Sequence, residues 1–216
     1  MEQDQKNQTE WQIDNLPNRL TMFRILLIPI IISSLYLNMS KFPLLIPYEK
    51  TLGYLAAWTF VIASITDFFD GYIARKREIV TVFGSFLDPI ADKFLVVSSL
   101  IILQGLGRIP VLLVIILVLR EIYITALRLL AKERGLHVPV AKLGKWKTAF
   151  QMIGIPFLMA YDRPWGIPMP LLGISFIYLA SLFSLYSAVD YSINLIKRLQ
   201  KARSETRISK EATSAS

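Results

Sequence analysis

Six stretches of this chain are apolar over roughly the length of a bilayer crossing, and that repetition limits the folds open to it. They run roughly over residues 20–37, 52–74, 80–103, 109–131, 147–162 and 171–195. A transmembrane helix needs about 20 mostly apolar residues, within a range of about 17–25. The fifth stretch is the shortest, starts at a lysine and carries Pro156. Six spans predict an all-α, polytopic integral membrane protein built as a six-transmembrane-helix bundle. Of the 216 residues, 54% are hydrophobic, which excludes disorder for most of the length. The chain has no cysteine, so a disulfide scaffold, thiol catalysis and Cys-ligated zinc are excluded too.

The ends read differently. Residues 1–19 are polar and lack the apolar core of a cleavable signal peptide. Within them, Trp11, Ile13 and Leu16 read either as a short interfacial helix ending at Pro17 or as a partly ordered tail with an aromatic anchor. The expected organisation is an N-terminal interfacial segment (1–19), a membrane domain (20–196) and a basic tail (197–216). The tail's Lys, Arg, Ser, Glu and Thr predict disorder. The formal net charge of +8 on so apolar a chain points to a membrane surface, not to nucleic acid. With the N-terminus in the cytoplasm, 16 of the 24 Lys and Arg residues face that side, four face outward and four lie within spans. Cytoplasmic loops carry such an excess, so both termini are expected inside. The same bias supports the fifth span, because dropping it would move the C-terminal cluster outside.

The spans hold charges that an apolar environment disfavours: Asp67, Asp70, Asp88, Asp92, Glu121 and Asp190, with Arg24, Lys93, Arg120 and Arg128. A mid-membrane Asp costs about 2.5–3.5 kcal/mol on insertion scales, whereas a Leu returns about 0.3–0.6. Such residues face polar cavities and mark function by default. All of them fall toward the cytoplasmic side, so they predict one cavity inside that leaflet. Asp67, Asp70, Gly71 and Ala74 follow the i, i+3, i+4, i+7 spacing of one helix face, and Gly84, Asp88 and Asp92 follow i, i+4, i+8. Carboxylates from two helices can therefore converge. Hard oxygen donors without nearby His or Cys suit Mg²⁺ or Mn²⁺. Gly71 and Gly84 remove bulk on those faces, for close helix packing or for a ligand. The bland alternative pairs the acids with Arg or Lys within the bundle. A cation transporter would also bury acids, but its site lies near the midplane between repeats, and no internal repeat is seen.

The run Asp67-x2-Asp70-Gly71-x2-Ala74-Arg75-x8-Gly84-x3-Asp88-x3-Asp92 matches in full the signature of the CDP-alcohol phosphatidyltransferase family. Eight fixed positions at fixed gaps carry this resemblance. Asn15–Thr21 with Arg24 and Pro29, Arg120 through Arg128, and Gly144–Thr148 with Gln151 resemble the branch whose acceptor is sn-glycerol 3-phosphate. The resemblance covers roughly residues 15–195. It implies an enzyme of phospholipid biosynthesis in the bacterial inner membrane, with its active site on the cytoplasmic side. The implied reaction displaces CMP from CDP-diacylglycerol by the acceptor alcohol, yielding phosphatidylglycerol phosphate. Serine or inositol phosphate as acceptor would be the same chemistry. A homodimer is implied as well.

The resemblance also implies roles. Asp67, Asp70, Asp88 and Asp92 would hold Mg²⁺ or Mn²⁺ at two sites, and Asp92 would also take the proton of the acceptor hydroxyl. That hydroxyl is poorly nucleophilic and needs a base within hydrogen-bond reach. Asn18, Thr21, Gly71, Ala74, Arg75, Thr81 and Gly84 would border CDP-diacylglycerol. Thr81 serves equally as a helix cap, and Asn18 and Thr21 as caps of the first span. A phosphate-bearing acceptor requires a basic pocket, for which Arg120, Arg128, Lys142, Lys145 and Lys147 are candidates. Both arginines are expected to be buried, whereas the three lysines also fit positive-inside topology and attraction to anionic lipid. Glu121 reads either as orienting the arginines or as pairing with Lys93. His137 reads as a surface residue.

Overall fold

The computed structural model describes residues 16–40, 42–77, 82–135 and 142–214. Six α-helices lie among them: α1 (Leu16–Met39), α2 (Glu49–Arg77), α3 (Val82–Gly105), α4 (Val111–Glu133), α5 (Lys142–Ala160) and α6 (Met169–Ser214). Two short 3₁₀ turns, Ile46–Tyr48 and Pro164–Gly166, precede α2 and α6, and no strand occurs among the described residues. The first four helices follow their apolar stretches to within a few residues, whereas α5 starts five residues earlier than expected and α6 runs well past residue 195. Prolines and glycines punctuate them. Gly107 and Gly135, at φ +70° and +64°, turn the chain after α3 and α4 in a conformation that a Cβ disfavours.

Among the described residues, two segments, Leu20–Met39 and Met169–Lys201, are long and apolar enough to cross a membrane, with mean hydropathies of 2.0 and 1.7. The middle helices carry the acids and bases that lower their apolarity. Large apolar side chains nonetheless point outward from each of them, among them Trp58, Phe94, Leu119 and Ile153. Hydroxyls inside the helices donate back to their own chain: Ser34 to Ile30 O at 2.8 Å, Thr59 to Leu55 O at 2.7 Å and Ser99 to Leu95 O at 2.7 Å. Such bonds satisfy a hydroxyl where water cannot.

Two boundaries differ from the sequence expectation. Pro17 does not close an interfacial helix; it lies in the first turn of α1, where a missing N–H costs nothing. Trp11 and Ile13 lie outside the described residues. The other lies at the C-terminus, where α6 continues past the expected end of the membrane domain through Ser214. From residue 174 onward the chain has neither Gly nor Pro, and Lys, Arg, Gln, Glu and Ala are good helix formers.

The contacts divide the chain into two units: one through Val111 with Met152–Phe176, the other Leu112–Gln151 with Ile177–Ser216. In the first, α1 packs against α2 and α3. Arg108 gathers the ends of several helices there. Its Nη1 donates to Leu158 O at 3.0 Å and Met159 O at 2.7 Å, its Nη2 to Asn38 Oδ1 at 3.4 Å, and it lies 4.5 Å from the Tyr161 ring centre. Burial lowers the pKa of this guanidinium below its ordinary value, against the pull of Tyr161 and Glu49. Asn38 in turn donates to Glu49 O at 2.9 Å. Beside it, Lys50 pairs with Asp162 at 3.0 Å, and that contact raises the ammonium's pKa above its usual value. Gly53 lets α2 approach the end of α5, where a Cβ would sit 2.7 Å from Met159 O. An apolar groove of about 560 Å³ runs between α2 and α5, lined by Val61, Ser64, Ile65, Met152, Ile153, Pro156 and Phe157.

In the second unit α4 and α6 pack through Ile124, Ala131, Tyr191 and Leu195, flanked by Leu127, Ala188 and Leu199. The Phe150 and Phe183 rings stack at 5.5 Å, joining the middle of α5 to α6.

Candidate active site

The acidic motif lies on two helices of the first unit. Asp67, Asp70, Gly71, Ala74 and Arg75 belong to α2, and Gly84, Asp88 and Asp92 to α3. The helical spacing expected of both motifs is therefore present. Thr81 lies outside the described residues, and so do the side chains of Asn18, Asp70, Ala74, Arg75 and Asp88.

Asp67 and Asp92 are brought together by Arg24 of α1. Its Nη2 lies 2.6 Å from Asp67 Oδ1, and its Nη1 donates to Asp92 Oδ1 at 3.0 Å. Two carboxylates from separate helices thus meet at one positive group. The guanidinium is wholly buried, and Thr21, buried as well, lies one turn before it on the same side of α1. The sequence puts Arg24 in one cavity with the acids but assigns it no role, and pairing of the acids with a base is the bland alternative that Arg24 meets for Asp67 and Asp92. Its i, i+3 spacing from Thr21 was the available signal.

Among the described residues no group of three such donors stands ready for a metal ion, Asp67 and Asp92 being the two acids of the motif described there. The pair fits a hard divalent cation in two respects. The donors are carboxylate oxygens, and their convergence on a guanidinium shows a place where positive charge is already accommodated between α2 and α3.

The basic candidates of the second unit divide. Arg120 and Lys147 are buried and share Glu121. Lys147 Nζ lies 2.6 Å from Glu121 Oε2, and Arg120 Nη1 lies 3.3 Å from the same oxygen. Arg120 also donates from Nε to Ser184 O at 3.3 Å and from Nη2 to Ser187 Oγ at 3.1 Å. Glu121 therefore orients both bases. Arg128, expected to be buried, is exposed, with its guanidinium 6.0 Å from the Tyr191 ring centre. It lies near the end of α4 and reaches over the Tyr191 ring of α6 instead of entering the packed face. Lys142 and Lys145 begin α5, and their side chains lie outside the described set, as does His137 entirely.

Comparison with known proteins agrees with the motif. The family model described as CDP-alcohol phosphatidyltransferase matches residues 14–186. A Rickettsia felis protein named CDP-diacylglycerol--glycerol-3-phosphate 3-phosphatidyltransferase is 39% identical over 181 residues, covering 82% of this chain and 93% of the relative. Proteins of the same name from Rickettsia bellii and Bacillus subtilis are 40% and 39% identical, again over 82% of this chain and 93% of theirs. The aligned span contains both acidic helices and the Arg120–Glu121–Lys147 cluster, and on this footing the chain belongs to the CDP-alcohol phosphatidyltransferase family.

Proposed function

We propose that the chain transfers the phosphatidyl group of CDP-diacylglycerol to sn-glycerol 3-phosphate, releasing CMP and forming phosphatidylglycerol phosphate. The observation that carries this reading is the meeting of Asp67 and Asp92 inside the family's motif. The printed name of the relatives supports the acceptor. The acceptor hydroxyl attacks the phosphatidyl phosphorus. Its proton passes to Asp92, and the bond from that phosphorus to the bridging oxygen of CMP breaks. Asp67, Asp70, Asp88 and Asp92 are the residues that would hold Mg²⁺ or Mn²⁺ at two sites. Such an ion, when bound, offsets the charge of the pyrophosphate and of the departing CMP.

Asn18, Thr21, Gly71, Ala74, Arg75, Thr81 and Gly84 border the donor in this reading. Arg120, Arg128, Lys142, Lys145 and Lys147 meet the acceptor's phosphate, with Arg120 and Lys147 set by Glu121. The groove between α2 and α5 begins at Ile65, two residues before Asp67, and is apolar apart from Ser64. It suits an acyl chain hanging from a head group held at the acids. The six helices cross the bacterial inner membrane with both termini cytoplasmic, and the enzyme acts as a homodimer.

The test is CMP release by purified protein in detergent with CDP-diacylglycerol and a panel of acceptors. Release with glycerol 3-phosphate, and little with serine or inositol phosphate, is the expected result. Release with another alcohol and none with glycerol 3-phosphate would overturn the assignment.

A further inference from the structure

Arg24 lies behind the acids that it joins. The residue is 0% exposed, whereas the side chains of Asp67 and Asp92 retain 32% and 43%. The base comes from α1 and the carboxylates from α2 and α3, so one side chain spans three helices. A guanidinium is planar, and its donors have a fixed spacing. With Nη2 on Asp67 at 2.6 Å and Nη1 on Asp92 at 3.0 Å, that spacing sets how far apart the two carboxylates stand and which way they turn. A lysine at the same place would offer one compact ammonium without the fork.

We propose that Arg24 is a positioning residue for the acidic site: its fork holds Asp67 and Asp92 in the mutual placement in which they receive a divalent cation. The inference rests on reading those two aspartates as cation ligands. The direction of approach separates holding from competition. Arg24 comes from the buried side of the carboxylates, and an ion arrives from the side on which they are exposed. Partners that orient metal ligands in this way are worth about 10–100-fold in affinity.

The experiment titrates Mn²⁺ into the purified full chain in detergent without substrate, reading bound ion by electron paramagnetic resonance. The expected result is that Arg24→Gln weakens binding by about 10–100-fold and that Arg24→Lys recovers part of the loss. A merely structural role would lower the yield of folded protein on size exclusion without moving the binding midpoint of what remains. If Arg24→Gln does not fold, Arg24→Lys carries the test, because it keeps the charge and loses only the fork. Wild-type or tighter affinity in the folded variants overturns the proposal. Absence of Mn²⁺ binding by the wild type overturns the cation reading of Asp67 and Asp92, and this inference with it.

Discussion

Asp92 is half-exposed at the site, on the helix that also carries Asp88, and asparagine has nearly its shape without its basicity. The variant Asp92→Asn should lower CMP release by about 10²–10⁴-fold, the usual contribution of a positioned base. Turnover at the wild-type rate in folded protein would remove Asp92 from that role. Lys147 is a second point of test, being buried against Glu121. Lys147→Met keeps most of the volume and removes the charge. It should raise KM for glycerol 3-phosphate about tenfold, the equivalent of about 1.4 kcal/mol, and leave KM for CDP-diacylglycerol nearly unchanged. A rise in both would make the lysine structural. At this scale the acids were legible, because a charge in an apolar run is costly wherever it falls. The contacts of Arg24 were not. Asp92 stands 68 positions away, and helical spacing places residues on a face without saying which face meets which. The expected burial of Arg128 failed for the same reason.

Helices α2 and α5 meet closely because position 53 has no side chain. Gly53→Val should place new methyl groups against the backbone of Met159 and Ala160, which cannot swing aside as a flexible side chain would. Overpacking of this kind costs about 1–3 kcal/mol. A fall in thermal midpoint in detergent, beyond that of Gly107→Val at the turn after α3, would check it. Gly107 is the sterner control, since its φ of +70° already opposes a side chain while its surroundings are open. The helices themselves were legible from their apolar lengths. Their ends were less so. Pro17 marked a boundary correctly but on the wrong side of it, since proline starts helices as readily as it stops them. The tail's composition resembled that of a disordered chain, yet the same straight-chain residues are good helix formers. Composition alone does not separate the two.

The whole molecule is without cysteine, which makes its placement in a bilayer simple to test. Single replacements Arg163→Cys, between α5 and α6, and Ser204→Cys, late in α6, report opposite sides in the proposed topology. A membrane-impermeant maleimide should label Cys introduced at 163 in intact cells and at 204 only after lysis; labelling of both in intact cells would overturn the six-span arrangement. The proposed orientation rests on the bias of Lys and Arg alone, because charge sorting acts on loops and needs no knowledge of packing. The division into two units was not readable. It cuts through α5 near Gln151, inside one unbroken helix, and a helix gives no sign of which neighbours each of its halves packs against. The helical extension of α6 has a practical consequence. From Lys197 to Ser214 it measures ~27 Å at 1.5 Å per residue. A fluorescent protein fused there would ride on a stiff arm instead of a loose leash. Energy transfer from it to a dye in the bilayer should report one narrow distance, so the chain supplies its own ruler for height above the lipid.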